Sequence, residues 1–375
     1  MRQWILNVLR LSGKEFRSLF GDWTLMVLIV FAFTAAIFSV ANGVKAEVSN
    51  ASVAIMDGDR SELSHRLRDA ILPPFFKTPV TIEREAVDGA LNRSDYIFVL
   101  DIPPNFEADL VAGRAPKVQL LVDATAMTQA GLGVVYLNQI FTTEVLDFMN
   151  ARGLTQMLPV EPAVRTLYNP NGESAWFTSV MQIVTNITVL AIILVGAAVI
   201  REKEHGTIEH LLVMPVRPSE IAFAKIFSNG TVIVVASMLS LWFVIHLGLS
   251  VPIQGSLWLF ALGCAVYLFS VTALGILLAT LAPAMPQFGL LAVPVYVVAY
   301  LLSGAATPVE SMPEVMQYVV RVLPTTQFVN FTQDILYRGA GLSVVWKELL
   351  AVAVAGVLFL SVALSRFRQM LARAA

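Results

Sequence analysis

The chain alternates between long apolar blocks and polar stretches of very unequal length. Trp23 to Ala41 is an uncharged apolar run, long enough to cross a bilayer as a helix of about 20 residues. Phe177 to Ile200, Phe227 to Leu249, Leu257 to Leu281, Gln287 to Ser303 and Val344 to Leu364 repeat that pattern, so six spanning helices are expected. Pro294 falls inside the fifth block and predicts a kink whose freed carbonyls neighbours must satisfy. Ahead of the first block, residues 2–20 read as an amphipathic helix. Trp4, Ile5, Val8, Leu9, Phe16, Leu19 and Phe20 lie toward one side; Gln3, Asn7, Arg10, Lys14 and Arg17 lie toward the other. Such a helix suits the membrane interface. A cleaved signal peptide would also start basic, but its apolar region is usually ~7–15 residues and this run is longer. A retained span is expected.

Residues 43–177 break the pattern. Acidic residues are common, Gly and Pro punctuate, and no spanning run occurs. Val53 to Met56, Val80 to Ile82, Tyr96 to Leu100 and Val118 to Val122 read as strands. Helical patterns follow them at Ser61 to Ile71, Glu85 to Leu91, Pro103 to Ala112 and Thr128 to Asn150. Alternating strand and helix predict an α/β domain large enough for its own core. Asp57, Asp59, Asp101 and Asp123 stand at or near strand ends, where active sites often lie. No Gly-rich phosphate loop or metal-spaced cluster accompanies them, and His65 is the one histidine of the stretch. Turns and helix caps are their expected role.

Composition narrows the class. With 375 residues, 57% hydrophobic and 14% charged, the chain is too apolar for an ordinary soluble protein. A net charge of −2 points away from nucleic acid. Cys264, the single cysteine, lies inside an apolar block, so no intrachain disulfide can form. The centres of the six blocks hold no Asp, Glu, Lys or Arg, unlike the ionisable relay of a secondary transporter. His246 sits near a block end and reads as structural. Gly13-Lys14-Glu15 lacks the leading glycine and the hydroxyl of an ATP-binding loop. No catalytic residue and no metal ligand is therefore expected. Thr178, Gln182, Thr185 and Asn186 form a polar stripe at helical spacing on the second block, which must face protein or water. It is either interhelical glue or the lining of a transport path, for which Gln182, Asn186, Tyr296 and Tyr300 are the candidates.

Most of the charge in the second half gathers in Arg201-Glu202-Lys203-Glu204-His205-Gly206-Thr207-Ile208-Glu209-His210-Leu211-Leu212-Val213-Met214-Pro215. Arg201 to Glu204 can prolong the preceding helix into water, and Gly206 suits its C-cap. Thr207 can cap a new, short helix with Glu209 in its first turn. Pro215 and Pro218 end that helix, and Ser219 can cap the next. Ile208, Leu211 and Leu212 share one face, which either rests on the bundle or fits a groove in a partner.

The pattern Arg-Glu-x-Glu-x-Gly-Thr-x-Glu-x-Leu-x-x-x-Pro resembles the cytoplasmic coupling segment of ABC-2 type permeases. The matching residues are Arg201, Glu202, Glu204, Gly206, Thr207, Glu209, Leu211 and Pro215. Lys14-Glu15-Phe16-Arg17 with Gly21-Asp22, Ile102-Pro103-Pro104-Asn105-Phe106, Tyr168-Asn169-Pro170, and the polar stretch from Ser303-Gly304 to Tyr337-Arg338-Gly339 are similar to further elements of that family. The resemblance implies an α-helical, type V exporter-like membrane bundle of six helices with an inserted α/β extracytoplasmic domain. It implies a homodimer or a pairing with a sister permease, two ABC ATPase subunits below, and often a periplasmic adaptor above. ATP and Mg would be bound by the ATPase, with no cofactor in this chain.

The expected division is an amphipathic interfacial helix over 1–22, a first span over 23–42, a periplasmic domain over 43–177 and a five-helix region over 178–365. That region contains the coupling segment 201–220 and an external re-entrant loop 304–345; a tail follows over 366–375. Arg2, Arg10, Lys14 and Arg17, then Arg201, Lys203, Arg217 and Lys225, then Arg366, Arg368 and Arg373 fall on one side of six spans. The positive-inside rule makes that side the cytoplasm of a bacterial inner membrane, with both termini inside. The expected function is export of a drug-like or amphiphilic cargo, though no residue names it. The rival readings are a receptor with a ligand-binding α/β domain, which the short tail after Leu364 disfavours, and an intramembrane hydrolase, for which His246 is the one candidate base.

Overall fold

In the computed structural model of the chain, residues 2–43, 48, 50–92, 95–122, 127–153, 173–205, 216–306, 309 and 312–374 are described. They fall into two compact units, Met1–Gly43 with Ala175–Ala375, and Val44–Ser174.

The second unit is built on a four-stranded sheet of order β2-β1-β3-β4. The strands are β1 (Val53–Asp57), β2 (Val80–Thr81), β3 (Phe98–Ile102) and β4 (Gln119–Val122). β1 runs parallel to both β2 and β3, and β4 closes the edge antiparallel. Alternate residues of β1 serve opposite faces. Val53 and Ile55 pack with Leu63, Leu67, Phe106 and Phe148, whereas Ala54 and Met56 pack with Val87. Those partners lie on α4 (Glu62–Ala70), α5 (Arg84–Asn92), α6 (Phe106–Val111) and α7 (Met127–Ala151). A strand covered on both faces reads as a continuous apolar run, as Val53-Ala54-Ile55-Met56 does.

The first unit begins with α1 (Arg2–Gly21) and α2 (Trp23–Phe33). Asp22 caps α2, accepting the Leu25 N–H at 3.2 Å. The first apolar block is not one unbroken helix: Thr34 leaves helical geometry at φ −127° and ψ −85°, and α3 (Ala35–Gly43) continues the span. The Thr34 hydroxyl turns back onto the Val30 carbonyl, a competing bond that bends helices. α8 (Ser174–Glu204) starts three residues ahead of the expected block and is buried along most of its length. Its neighbours are α9 (Pro218–Ser240), prolonged as a π-helix over Leu241–Gly248, and α10 (Leu257–Leu281). α11 (Met285–Leu301), α12 (Glu314–Arg321), α13 (Pro324–Leu336) and α14 (Leu342–Ala374) complete the described elements.

Among the described residues, five helices are long and apolar enough to cross a membrane: Trp23–Gly43, Ser174–Glu204, Pro218–Gly248, Leu257–Leu281 and Leu342–Arg366. The sixth expected span is the 17-residue α11. At 1.5 Å per residue it covers about 26 Å, short of the roughly 30 Å hydrocarbon core. Helices approach closely at glycines. A methyl group on Gly275 of α10 would lie 3.0 Å from the Ile192 carbonyl oxygen, so α8 and α10 meet almost backbone to backbone.

Candidate functional site

α1 and α9 run side by side in the same direction, as a ladder of contacts shows. Trp4 donates to the Ser219 hydroxyl at 3.4 Å, Asn7 to Glu220 at 3.3 Å, and Ser12 to the Ala224 carbonyl at 3.4 Å. Lys225 then reaches Glu15 at 3.0 Å, and Phe16 meets Phe227 edge-on at 6.4 Å. The buried line along α1 is thus Val8, Ser12 and Leu19, with Glu15 between them; Val8 and Leu19 belong to the apolar side expected from the sequence, and Ser12 and Glu15 do not. Ile5, Leu9 and Phe20 remain 49–58% exposed, available to lipid.

The start of α9 explains part of this. Arg217, not Ser219, is the N-cap, and Pro218 takes the first helical position, where its fixed φ is preorganised. The Arg217 N–H donates to Glu220 Oε2 at 2.7 Å, one half of a capping box. Ser219 is free of capping duty and receives Trp4 instead.

At the end of α8, four consecutive residues grip five neighbours. Arg201 pairs with Asp22, the cap of α2, at 3.4 Å. Glu202 binds Lys14 through one oxygen at 3.2 Å and Lys225 through the other at 3.0 Å. Lys203 donates to the carbonyl of Ala282, the C-cap of α10, at 3.0 Å. Glu204 accepts the N–H of Met285, the first residue of α11, at 2.9 Å. A cation at one helix's C-terminus and an anion at the next helix's N-terminus each meet the favourable end of a helix dipole. Lys14, Glu202, Lys225 and Glu15 form one chain of alternating charge. Its centre is buried, with the Lys225 side chain 2% exposed and both carboxylates 13% exposed, while Lys14 at the rim is 54% exposed. Burial at Lys225 costs desolvation, which two well-placed carboxylates offset.

Arg201, Glu202 and Glu204 therefore bind within the chain. Gly206, Thr207, Glu209, Leu211 and Pro215 lie outside the described residues. Glu15 and Lys225 were missed from sequence, because charged residues beside a membrane block read as water-facing. Their i, i+210 pairing has no local signal.

The polar stripe of α8 is drawn together. Gln182 donates to Asn186 at 2.9 Å, and Asn186 donates to the Ala32 carbonyl of α2. Thr188 shares a 2.7 Å hydrogen bond with Tyr267 of α10, a contact the sequence reading did not include. Tyr296 and Tyr300 stack at 6.3 Å and, with Thr185, Thr188, Ser303 and Thr325, line a cavity of about 10 Å³. That volume holds one water at most. Asn186 thus bonds toward α2, whereas Thr185 and Thr188 line the small cavity beside the tyrosine pair. His246 closes the π-helix, its Nδ1 at 3.0 Å from the Val251 carbonyl, consistent with a structural role.

In the α/β unit, Asp57 accepts the N–H groups of Asp59 and Arg60 at 3.0 and 2.8 Å. Asp59 accepts the N–H of Glu107 at 3.0 Å, and Glu107 accepts that of Leu63 at 3.0 Å, so the two acids cap each other's helices. Asp101 pairs with Arg84 at 3.2 Å; Asp123 lies outside the described residues. Among the described residues no cluster of His, Cys, Asp and Glu is arranged for a metal.

These helices define a multi-pass membrane protein whose central helix ends in a charged hub. Residues 23–365 match the family described as ABC-2 family transporter protein, and the chain belongs to that family. It is similar to the Inner membrane transport permease YhhJ of Escherichia coli (strain K12), with 46% identity over 364 residues and 97% of each chain covered. It is also similar to two Probable multidrug ABC transporter permeases of that organism. YbhR is 27% identical over 366 residues, covering 96% of this chain and 97% of its own. YbhS is 23% identical over 341 residues, covering 89% of each. The chain is accordingly a multi-pass inner-membrane protein and the membrane subunit of an ABC transporter, a class that works with ABC ATPase partners.

Proposed function

We propose that this chain is the permease of an exporter that moves a drug-like or amphiphilic cargo out of the cytoplasm or inner membrane. A separate ATPase binds ATP and Mg and supplies the energy. Two permeases, identical or sister chains, would frame the path, with α11 as a short sixth span. Residues 43–177 would face the periplasm, where an adaptor can dock, and both termini would face the cytoplasm.

The observation that carries this reading is the hub at Arg201, Glu202, Lys203 and Glu204, whose side chains hold α2, α1 with α9, the end of α10 and the start of α11. A push on the following segment, 205–215, would reach all of them at once. In the proposed cycle, closure of the ATPase pair displaces that segment, the hub carries the displacement into the bundle, and α8 separates from Tyr296 and Tyr300. Gln182 and Asn186 would line the opened path.

Affinity capture of the tagged permease from membranes tests the coupling. The wild-type chain should bring down an ABC ATPase. Glu204→Lys with Glu209→Lys should weaken that association and abolish transport while membrane insertion stays intact. Unchanged ATPase binding and transport in that variant would refute the coupling role, and a wild-type chain that binds a small ligand through 43–177 but no ATPase would favour a receptor.

A further inference from the structure

Between α1, α2, α8 and α9 lies a partly open cavity of about 270 Å³. Its lining is of three kinds. Leu19, Leu194 and Ala198 contribute an apolar wall, Lys14, Arg201 and Lys225 contribute positive charge, and Glu15 and Glu202 contribute the carboxylates that Lys14 and Lys225 pair with, leaving one cation in excess. The volume falls just below the roughly 300 Å³ where pockets for drug-sized ligands begin. It suits a headgroup rather than a whole cargo molecule.

The depth of the cavity follows from its neighbours. Phe20 and Trp23 flank the α1–α2 junction and are 58% and 79% exposed. Aromatic side chains in such positions settle at the membrane–water boundary. Leu19 and Leu25, which line the cavity, belong to the same turns, so the cavity lies at headgroup level. The charges there are unequally committed. Lys225 is buried between its two carboxylates. Arg201 sends two guanidinium nitrogens to a single Asp22 oxygen at 3.4 Å, and a guanidinium has five N–H donors in all. Lys14 and Arg201 are 54% and 49% exposed, so both can turn toward a new anion without leaving a buried site.

We propose that this cavity binds the phosphate of an anionic phospholipid, with Arg201 and Lys14 as its ligands and Leu194 and Ala198 against the first acyl carbons. Basic pockets between membrane helices recognise such headgroups. The proposal rests on the reading above only for the leaflet, which is the cytoplasmic one. A lipid held there would sit against the hub and bridge α1 to α8, so leaflet composition would set how firmly the lever is seated.

The test uses the purified permease alone in detergent, with no ATPase and no transport assay, so its outcome is separate from that of the export reading. Thermal unfolding is followed with phosphatidylglycerol, phosphatidylcholine or inorganic phosphate. Phosphatidylglycerol should raise the wild-type midpoint by about 2–4 °C, and the other two should not. Lys14→Gln with Arg201→Gln should remove at least half of that shift. Ala198→Phe, which fills the cavity and leaves every charge in place, should do the same and covers the case in which the charge variant does not fold. An equal shift from phosphatidylcholine, or a phosphatidylglycerol shift that survives Ala198→Phe, would overturn the proposal. An equal shift from inorganic phosphate would overturn it in favour of a free-anion site.

Discussion

Both units of this molecule place charge where helices begin and end, but they use it differently. In the α/β unit, Asp59 and Glu107 cap each other's helices at 3.0 Å, and Arg152 joins Glu107 at 2.8 Å and Glu62 at 3.2 Å from an exposed rim. These bonds lie at helix ends and range from partly buried at Glu107 to exposed at Glu62. In the membrane unit, Lys225 is sealed between Glu15 and Glu202, residues 210 and 23 positions away along the chain. Exposed pairs contribute little and depend on salt and pH. A buried pair is costly to break and contributes little net stability against apolar replacements, so what it supplies is fixed geometry. The α/β unit places partly exposed charges at the ends of its helices; the membrane unit buries its charges where α1, α8 and α9 meet.

The largest expected effect comes from breaking the buried chain on one side. Lys225→Met leaves two carboxylates, each 13% exposed, without their shared cation. It should cost about 3–5 kcal/mol, read as lost expression or a lowered unfolding midpoint. Replacing all three, Glu15→Leu with Lys225→Met and Glu202→Leu, should restore stability to near wild type but leave transport impaired. Full transport in that triple variant would show the ion chain to be mere packing. Next in size is Gly196→Ala. The added methyl would fall 2.0 Å from Cζ of Phe288, a ring 1% exposed with little room to move. A cost of about 1–3 kcal/mol is expected, with α11 displaced from α8 and transport reduced. Phe288→Leu in the same chain should recover part of the loss.

The smallest effect belongs to the α/β unit. Burial pushes the carboxyls of Asp59 and Glu107 up, but hydrogen bonds outweigh it and hold both below their ordinary values of 3.8 and 4.5. For Asp59 these come from Ser61 and the backbone at 105–107; for Glu107, from the Leu63 N–H, Arg152 and Ser61. A lowered folded-state pKa adds stability above the unfolded pKa, and that stability disappears as pH falls through the folded value. Amide exchange of residues 98–111 should therefore slow on going from acid to neutral pH, after correction for intrinsic rates. The slowing should be weaker in Asp59→Asn with Glu107→Gln, and the two proteins should converge in acid. A wild-type profile parallel to the variant's would remove this role.

The membrane blocks were legible because lipid leaves little choice: an uncharged run of spanning length has to be a helix. The strands at 53–56 and 98–100 were legible for a related reason, being apolar on both faces. What stayed hidden was pairing at a distance. Glu15 and Lys225 carry no mark that they face each other, and amphipathic reasoning placed the charged side of α1 in water. Thr34 was passed over because one threonine in an apolar run is compatible with unbroken helix; the break is a tertiary choice. The hub was half legible. Sequence singled out Arg201, Glu202 and Glu204 through a resemblance, and the structure adds that their first partners are Asp22, Lys14, Lys225 and the backbone of Met285.

The account stands on the claim that this chain works only when pushed from outside through its charged hub. Proteoliposomes holding the permease with and without its ATPase, loaded with ATP and assayed with fluorescent amphiphilic dyes, test it most directly. The account predicts dye movement only with both subunits and ATP, lost in the Glu15→Leu, Lys225→Met, Glu202→Leu chain although the ATPase still binds. Dye accumulation by the permease alone, driven by an ion gradient, would contradict it.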